Sequence, residues 1–533
     1  MATVAETTFR ILRARGLTTV FGNPGSNELP FLAHLPEDFT YVLGLHEGAV
    51  VSMADGYALA TGGPALVNLH AASGTGNAMG GLTNAVYSHS PLVLTAGQQV
   101  RSTIGQEVML ANVDAATLPR PLVKWSAEPA CATDVPRTID QAIHTALLPA
   151  RGPVYVSVPY DDWAAEADPE SAHLAGRTVT SGGALTEGQR DELVALLDEA
   201  HAPLLVLGPQ VDAAGAGHDA VRLAEALRAP VWIAPSASRL PFPTRHPAFR
   251  GVLPAAVREI AEAVEGHDLV LVVGAPVFRY HEYVPGRFLP EGTRLVQITE
   301  DPKEAARAPV GDAVVADVAS TLAHLAHAIA VADRPEPPPL PPFPEPRTLP
   351  GAVHPDELFA LLREHAPDDA LYVVESTSTA ASFWAQMDLR EPTSYLLPAS
   401  GGLGFGLPAA VGAQLGRPDR QVIGLIGDGS ANYGIAALWT AARHRVPVVV
   451  IVLKNGTYGA LRRFGALLGT GETPGMDVPG IDFTALARGY GVPARSVAAG
   501  ADFVVALKAA LASDGPSLIE VVTAELDEDG GPR

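Results

Sequence analysis

Cysteine is nearly absent: Cys131 stands alone among 533 residues. That excludes an intramolecular disulfide framework and a thiolate metal cluster, and it gives no sign of an oxidising compartment. Positive charge is also scarce. Lys and Arg number 36 against 58 Asp and Glu, for a formal net charge of −22. This balance argues against nucleic acid or an anionic membrane as a partner. An anionic substrate must then be drawn by local groups. No apolar run approaches the roughly 20 residues that cross a bilayer. Met1 to Arg10 lack a basic stretch followed by an apolar core, so no secretory signal is expected. A soluble, cytoplasmic protein is the expectation.

What the chain does have is apolar content of 47% and 52 glycines, which fit a compact α/β enzyme. Its length calls for several domains. The clearest linker is Pro335 to Pro350, with nine prolines in sixteen positions, a segment expected to stay extended and outside any core. A softer, polar break runs from Ala164 to Gly188. The expected domains are therefore 1–180, 181–334 and 351–533. Each alternates short apolar strands with helical patterns. In the first these are Thr18–Phe21, Ala65–His70, Pro91–Ala96 and Val154–Val158. The middle has Pro203–Leu207, Val231–Ala234, Leu269–Val273 and Leu295–Ile298. The last has Leu371–Val374, Val422–Ile426, Val446–Leu453 and Ser517–Val522. Such alternation predicts α/β architecture with three doubly wound, mainly parallel sheets.

Two apolar strands of the last block end in polar residues. Val422–Ile426 leads into Gly427-Asp428-Gly429, and Val446–Leu453 leads to Asn455. Between them Ile435, Leu438, Trp439 and Ala442 share one face of a helix expected over Asn432–His444. Strand, helix, strand makes both strands parallel, so Asp428 and Asn455 meet at one sheet edge. A carboxylate and an amide oxygen form a hard-oxygen site suited to Mg²⁺. Gly429 lets a phosphate approach the backbone at a helix start. A solitary Gly-Asp-Gly is most often a turn; the flanking strands and the second ligand favour function.

The first block has its own strand-end loops. Gly22-Asn23-Pro24-Gly25-Ser26-Asn27-Glu28 follows a strand and sets Ser26 at a loop tip, where it serves a ligand or caps a helix. Glu47 follows the strand Tyr41–Leu45 and opens a helix, where a glutamate is ordinarily a dipole partner. His70 ends a strand beside a glycine-rich loop from Gly74, a position used for active sites and also for structural histidines. The Gly74 pattern lacks the spacing and the acidic residue of a dinucleotide site, so an NAD reading is rejected. His281, taken alone, reads as a surface or packing residue.

Gly-Asp-Gly, about two dozen residues, then Asn resembles the signature of thiamine-diphosphate enzymes. The stretches Phe21–Pro30, Asn68–His70, Gly74–Gly80, Leu118–Ser126, Gly274–His281 and Asn455–Arg462 narrow the resemblance to the benzoylformate decarboxylase family. It runs almost the whole chain. It implies a pyrimidine-binding first domain, a middle domain without cofactor and a diphosphate-binding last domain. It also implies sites at subunit interfaces, in a homotetramer built as a dimer of dimers. The implied activity is decarboxylation of an aryl 2-oxo acid such as benzoylformate to an aldehyde and CO₂, with carboligation as a side activity.

The resemblance also implies roles. Glu47 would protonate the aminopyrimidine ring of thiamine diphosphate. Ser26 would bind the substrate carboxylate, and His70 and His281 would transfer protons. Asp428, Asn455 and the carbonyl of Thr457 would hold Mg²⁺, for which Ca²⁺ could substitute. Gly25, Asn77, Thr377, Ser378, Gly401, Leu403, Gly427, Gly429, Ser430, Tyr433, Tyr458 and Gly459 match cofactor-contacting positions. Leu110, Leu397, Ala460, Leu461 and Phe464 match the walls of an apolar substrate pocket. Leu397 stands where the family pattern has phenylalanine, Ala380 where it has threonine, Arg463 where it has tryptophan and His46 where it has glutamine. Rival readings are action on another 2-oxo acid, carboligation as the main reaction, a non-catalytic relative, or a relative whose middle domain uses CoA or FAD.

Overall fold

The computed structural model of the chain describes residues 1–524. Three six-stranded sheets follow one another along it, and every pairing between their strands is parallel. The first sheet contains β1 (Thr19–Gly22), β2 (Thr40–Leu43), β3 (Ala65–Leu69), β4 (Leu92–Gln98), β5 (Trp125–Ala127) and β6 (Val154–Pro159). The middle sheet contains β7 (Pro203–Leu207), β8 (Val231–Ile233), β9 (Phe249–Val252), β10 (Leu269–Val273), β11 (Arg294–Thr299) and β12 (Asp312–Val315). The last contains β13 (Leu371–Glu375), β14 (Tyr395–Leu396), β15 (Val422–Gly427), β16 (Val449–Lys454), β17 (Ala494–Val497) and β18 (Ser517–Val522).

The first sheet runs β2-β1-β3-β4-β6-β5 and the last β14-β13-β15-β16-β18-β17, the same spatial order. The middle sheet runs β12-β11-β10-β7-β8-β9, a different order with its switch point between β7 and β10. Central strands are buried up to their carboxyl ends, as their unbroken Val, Leu and Ile runs dictate, with only Gly427 and Lys454, the last residues of β15 and β16, half-buried.

The first and last layers are held together by two helices. Glu47–Thr61 lies against Gly406–Gly416. The backbones approach so closely that a Cβ at Gly56 would collide with Ala409, and one at Gly412 with Met53. Thr440 Oγ1 adds a hydrogen bond to the Leu43 carbonyl at 2.8 Å.

Four expectations need correction. The helix expected over Asn432–His444 is two, Asp428–Gly434 and Ala437–Arg443, broken at Ile435 and Ala436. The strand expected from Val446 begins at Val449: Arg445 has a left-handed φ of 50° and Pro447 has no N–H for the ladder. The glycine-rich stretch after His70 is helical, Ala71–Tyr87, with the Gly74 N–H on the His70 carbonyl at 2.7 Å. The proline-rich segment is extended yet pinned. Phe343 lies under the guanidinium groups of Arg245 at 4.3 Å and Arg363 at 3.7 Å, and Leu340 packs on the core.

Candidate active site

Glu28, at the end of the turn that follows β1, is buried and gathers three strand ends. Its Oε1 accepts hydrogen bonds from the N–H of Ala71 (3.2 Å) and of Gly97 (2.8 Å). Its Oε2 accepts from the Gly25 N–H at 3.0 Å and faces His70 Nδ1 at 2.8 Å. A carboxylate can only accept, so Nδ1 is the donor and Nε2 is the ring nitrogen left for other partners. A Cβ at Gly25 would enter the His70 ring, which explains glycine there. Ser26 is exposed at the loop tip, its Oγ 3.3 Å from Asn27 Oδ1. Asn27 Nδ2 reaches the Leu110 carbonyl at 3.4 Å, which brings Leu110, itself at φ 67°, to this loop.

Glu47 is the first residue of its helix and is 5% exposed. Asn23 Nδ2 donates to its Oε1 at 3.3 Å and Asn77 Nδ2 to its Oε2 at 3.0 Å. His46 caps the helix, its Nδ1 accepting from the Gly48 N–H at 3.1 Å. Gly74 lies between the two key side chains. A Cβ there would stand 3.0 Å from Glu47 Oε1 and 3.2 Å from His70 Cβ. Ser26, His70, Glu47, Gly25, Asn77 and Leu110 thus converge at the carboxyl ends of β1, β2 and β3.

The second group lies at the carboxyl ends of β13, β15 and β16. Asp428 is buried, its Oδ1 accepting from the Gly429 N–H at 2.8 Å and its Oδ2 from the Gly456 N–H at 2.7 Å. Burial pushes its carboxyl up, and these amides oppose the shift. Asn455 Oδ1 accepts from the Thr457 N–H at 3.1 Å, so Asn455 and Thr457 share one turn, which the Gly456 N–H ties to Asp428. A Cβ at Gly429 would strike the Tyr458 ring. Desolvation and then a hydrogen bond with Tyr433 push the Tyr458 hydroxyl up. Gly459 lies against Asn455 and Ser378, and Gly427 lies near Ser430. Thr377 opens the turn that follows β13.

Glu375 fixes the loop that carries Gly401 and Leu403. It is buried and accepts from the N–H groups of Gly404 (2.8 Å), Phe405 (3.3 Å) and Gly406 (2.7 Å). Burial pushes it up to about 7. Gly401 has φ 75°, Gly404 has φ 96°, and Leu403 remains exposed. Asn84 of the first block brackets the same loop, donating to the Gly402 carbonyl at 2.9 Å and accepting from Ser400.

His281, from the middle block, stacks on Phe464 with ring centroids 5.0 Å apart. Arg463 beside it meets Glu282 at 3.3 Å. Ala460, Leu461 and Phe464 lie on the helix Gly459–Leu468, none of whose residues is buried. Leu397 sits at the seam of the middle and last blocks, its N–H on the Ser238 carbonyl at 3.1 Å. Among the described residues, no hydrogen bond of Glu47, His70 or Ser26 reaches Asp428, Asn455 or Tyr458.

Sequence reasoning passed over Glu28, Glu375 and Asn84. Glu28 carried a signal in its spacing, three residues after Gly25, which is that of a capping box. Glu375 carried one in being a charged residue at the end of an apolar strand.

Family models for thiamine pyrophosphate enzymes match along the chain: the N-terminal TPP binding domain at residues 2–118, the central domain at 190–325 and the C-terminal TPP binding domain at 376–521. A benzoylformate decarboxylase of Pseudomonas aeruginosa is 62% identical over 99% of this chain and 100% of its own. The solved thiamine diphosphate-dependent 4-hydroxybenzoylformate decarboxylase of Rhodococcus jostii RHA1 is 69% identical, with TM-score 0.97 over 98% of this chain and 99% of that one. The benzoylformate decarboxylase of Polynucleobacter necessarius is 37% identical, with TM-score 0.95 over the whole of both chains.

Proposed function

The chain belongs to the thiamine pyrophosphate enzymes, and from that premise we propose that it decarboxylates an aryl 2-oxo acid of the benzoylformate class to the aldehyde and CO₂. One observation carries this reading: buried Glu47 and half-buried His70 flank Gly74 at one sheet edge, with Ser26 on the adjoining loop. The division at 180/181 and across 335–350, a cytoplasmic location and possible carboligation as a side activity belong to the same proposal.

Thiamine diphosphate, when bound, supplies the electron sink that loss of CO₂ from a 2-oxo acid needs. The residues present fit that group. Asp428, Asn455 and the Thr457 carbonyl offer only hard oxygen donors, which suits Mg²⁺ or Ca²⁺ beside a diphosphate. Gly427, Gly429, Ser430, Tyr433, Tyr458, Gly459, Thr377 and Ser378 would line the diphosphate and thiazolium end, and Gly401 and Leu403 its bend. Gly25 and Asn77 would lie by the pyrimidine.

Glu47, oriented by Asn23 and Asn77, would hold a proton at its carboxyl toward the pyrimidine ring. The Ser26 hydroxyl would donate to the substrate carboxylate. His70, with Nδ1 held by Glu28, would take and give the proton at Nε2. His281, seated on Phe464, would do so from the opposite side. Leu110, Leu397, Ala460, Leu461 and Phe464 would enclose an aryl ring, keep water away and leave a methyl group poorly held.

Each half of this arrangement ends in bare apolar surface. Leu461, Leu467 and Leu468 are exposed beside the second group, and Met109, Leu110 and Val113 beside the first. This favours a homo-oligomer, a tetramer built as a dimer of dimers, in which a second copy completes each site. The test is a panel of aryl, branched and linear 2-oxo acids assayed with aldehyde detection. Benzoylformate-type acids should give the highest kcat/KM. Pyruvate outperforming them would overturn the substrate class.

A further inference from the structure

A cluster that this reaction does not use lies at the seam between the first and middle blocks. His89 follows the helix Ala71–Tyr87, and Asp301 and Glu304 follow β11. One nitrogen of His89 and one oxygen of each carboxylate lie within 4.8 Å of one another. The two carboxylates are buried, and the imidazole is half-buried.

The hydrogen bonds around the cluster point its free atoms inward. His89 Nδ1 meets the Arg151 carbonyl at 3.2 Å. A carbonyl only accepts, so Nδ1 is a donor, and Nε2 faces Glu304 Oε1, 3.5 Å away. Two acceptors face one another there unless a proton or a cation lies between them. Asp301 Oδ1 caps the Lys303 N–H at 2.7 Å, while its Oδ2 takes no hydrogen bond from the described residues. Glu304 Oε2 is oriented by Gln210 Nε2 at 3.3 Å and Thr299 Oγ1 at 3.2 Å. Buried outer partners of this kind are what metal ligands need to stay in place. Of the positive groups nearby, Lys124 donates to the Leu148 carbonyl at 2.6 Å, and Arg307, one turn along the same short helix, pairs with Glu304 Oε1 at 3.5 Å, a long contact that a bound cation would replace. A cavity of about 290 Å³, lined by His89, Arg151, Gln210 and Glu300, adjoins the cluster and gives entry and space for water ligands.

We propose that His89, Asp301 and Glu304 form a site for a divalent transition cation of the Zn²⁺ type, which clamps the first block to the middle block. One imidazole with two carboxylates is a borderline donor set that favours such a cation over Mg²⁺ or Ca²⁺. Three protein ligands leave a position for water.

The test uses the full-length holoenzyme, saturated with thiamine diphosphate and Mg²⁺ so that the cofactor site is filled. Co²⁺ is titrated in, and its visible d–d absorption is read. One further equivalent should bind with a band of low-symmetry, imidazole-containing coordination, and Zn²⁺ should displace it and raise the thermal midpoint. In His89→Gly, which suits the left-handed φ of 55° at that position, and in Glu304→Gln, affinity should fall by at least about tenfold. If the wild type binds no Co²⁺ beyond the cofactor site, His89 and Glu304 are a plain ion pair and the proposal fails. A band that persists in both variants sinks it equally.

Discussion

Glu28 lies just beyond the first strand of its sheet and Glu375 ends the first strand of a sheet with the same strand order; each holds three backbone N–H groups, Glu28 from three strand ends and Glu375 from one site loop. They differ in one bond: Glu28 also holds the His70 ring, whereas Glu375 holds backbone alone. The first block thus fixes side chains that can move protons. The third fixes turns that can receive a bound group. Two copies of one architecture have become, on our reading, an acid–base half and an anchoring half, and neither alone suffices for the reaction.

The largest effect should come from breaking the acid–base half. Glu47→Gln keeps the volume and, with one of the facing Asn amides turned over, both contacts, but removes the titrating carboxyl. Turnover should fall by about 10²–10⁴-fold, with little change in thermal midpoint. Exchange of the C2 proton of the bound cofactor, followed by NMR, reports the step directly. Exchange at the wild-type rate would remove Glu47 from its role.

Breaking the anchoring half should act on binding. Asp428→Ala removes a buried carboxylate whose two oxygens hold Gly429 and Gly456. Affinity for Mg²⁺ and for thiamine diphosphate should fall together, by about 10–100-fold or more. Calorimetric titration checks this; if cofactor affinity is unchanged, the metal lies elsewhere.

The two halves were unequally legible. Central strands were readable because burial on both faces demands continuous apolar runs, and Pro203–Leu207, Leu269–Val273 and Ser517–Val522 match to the residue. The strands that went unread, β5, β9, β12, β14 and β17, all lie at or form sheet edges. An edge strand is short and wetted on one side, so it carries no continuous run; β12 is mostly exposed. The same limit hid the anchors. Glu28 bonds to residues up to 69 positions away, so its role exists only after β1, β3 and β4 align. Asp428 and Asn455 were readable because adjacent parallel strands, β15 and β16, bring their ends together.

The comparison is sharpened by matched substitutions. Glu28→Gln and Glu375→Gln each turn an accepting oxygen into an NH₂ group against backbone donors. Each should destabilise by about 1–3 kcal/mol, read as a lower thermal midpoint. Only Glu28→Gln should also shift the pH–rate profile and cut turnover by about tenfold, because His70 Nδ1 loses its acceptor. Identical pH–rate profiles in the two variants would show that Glu28 is merely structural.

The smallest expected effect is a change of slope. Burial pushes Glu375 up to about 7 from an ordinary 4.5, with the three N–H groups opposing. The folded chain therefore keeps this proton over a range in which the unfolded chain has lost it. The sign follows: the contribution to stability is fully present below about pH 4.5 and is lost as pH rises through about 7. Asp55, buried against Ser88 and Ser90 in the first block, is likewise pushed up to about 7 and acts in the same direction. Wild-type stability should thus carry a downward component between about pH 4.5 and about pH 7 from one carboxyl in each half. Glu375→Gln should lose its share and keep that of Asp55; Asp55→Asn should do the converse. Thermal midpoints measured across this range test it, each variant against the wild type. Parallel curves for all three proteins would mean that neither carboxyl changes its protonation on folding, and the two halves would then differ only in what they hold.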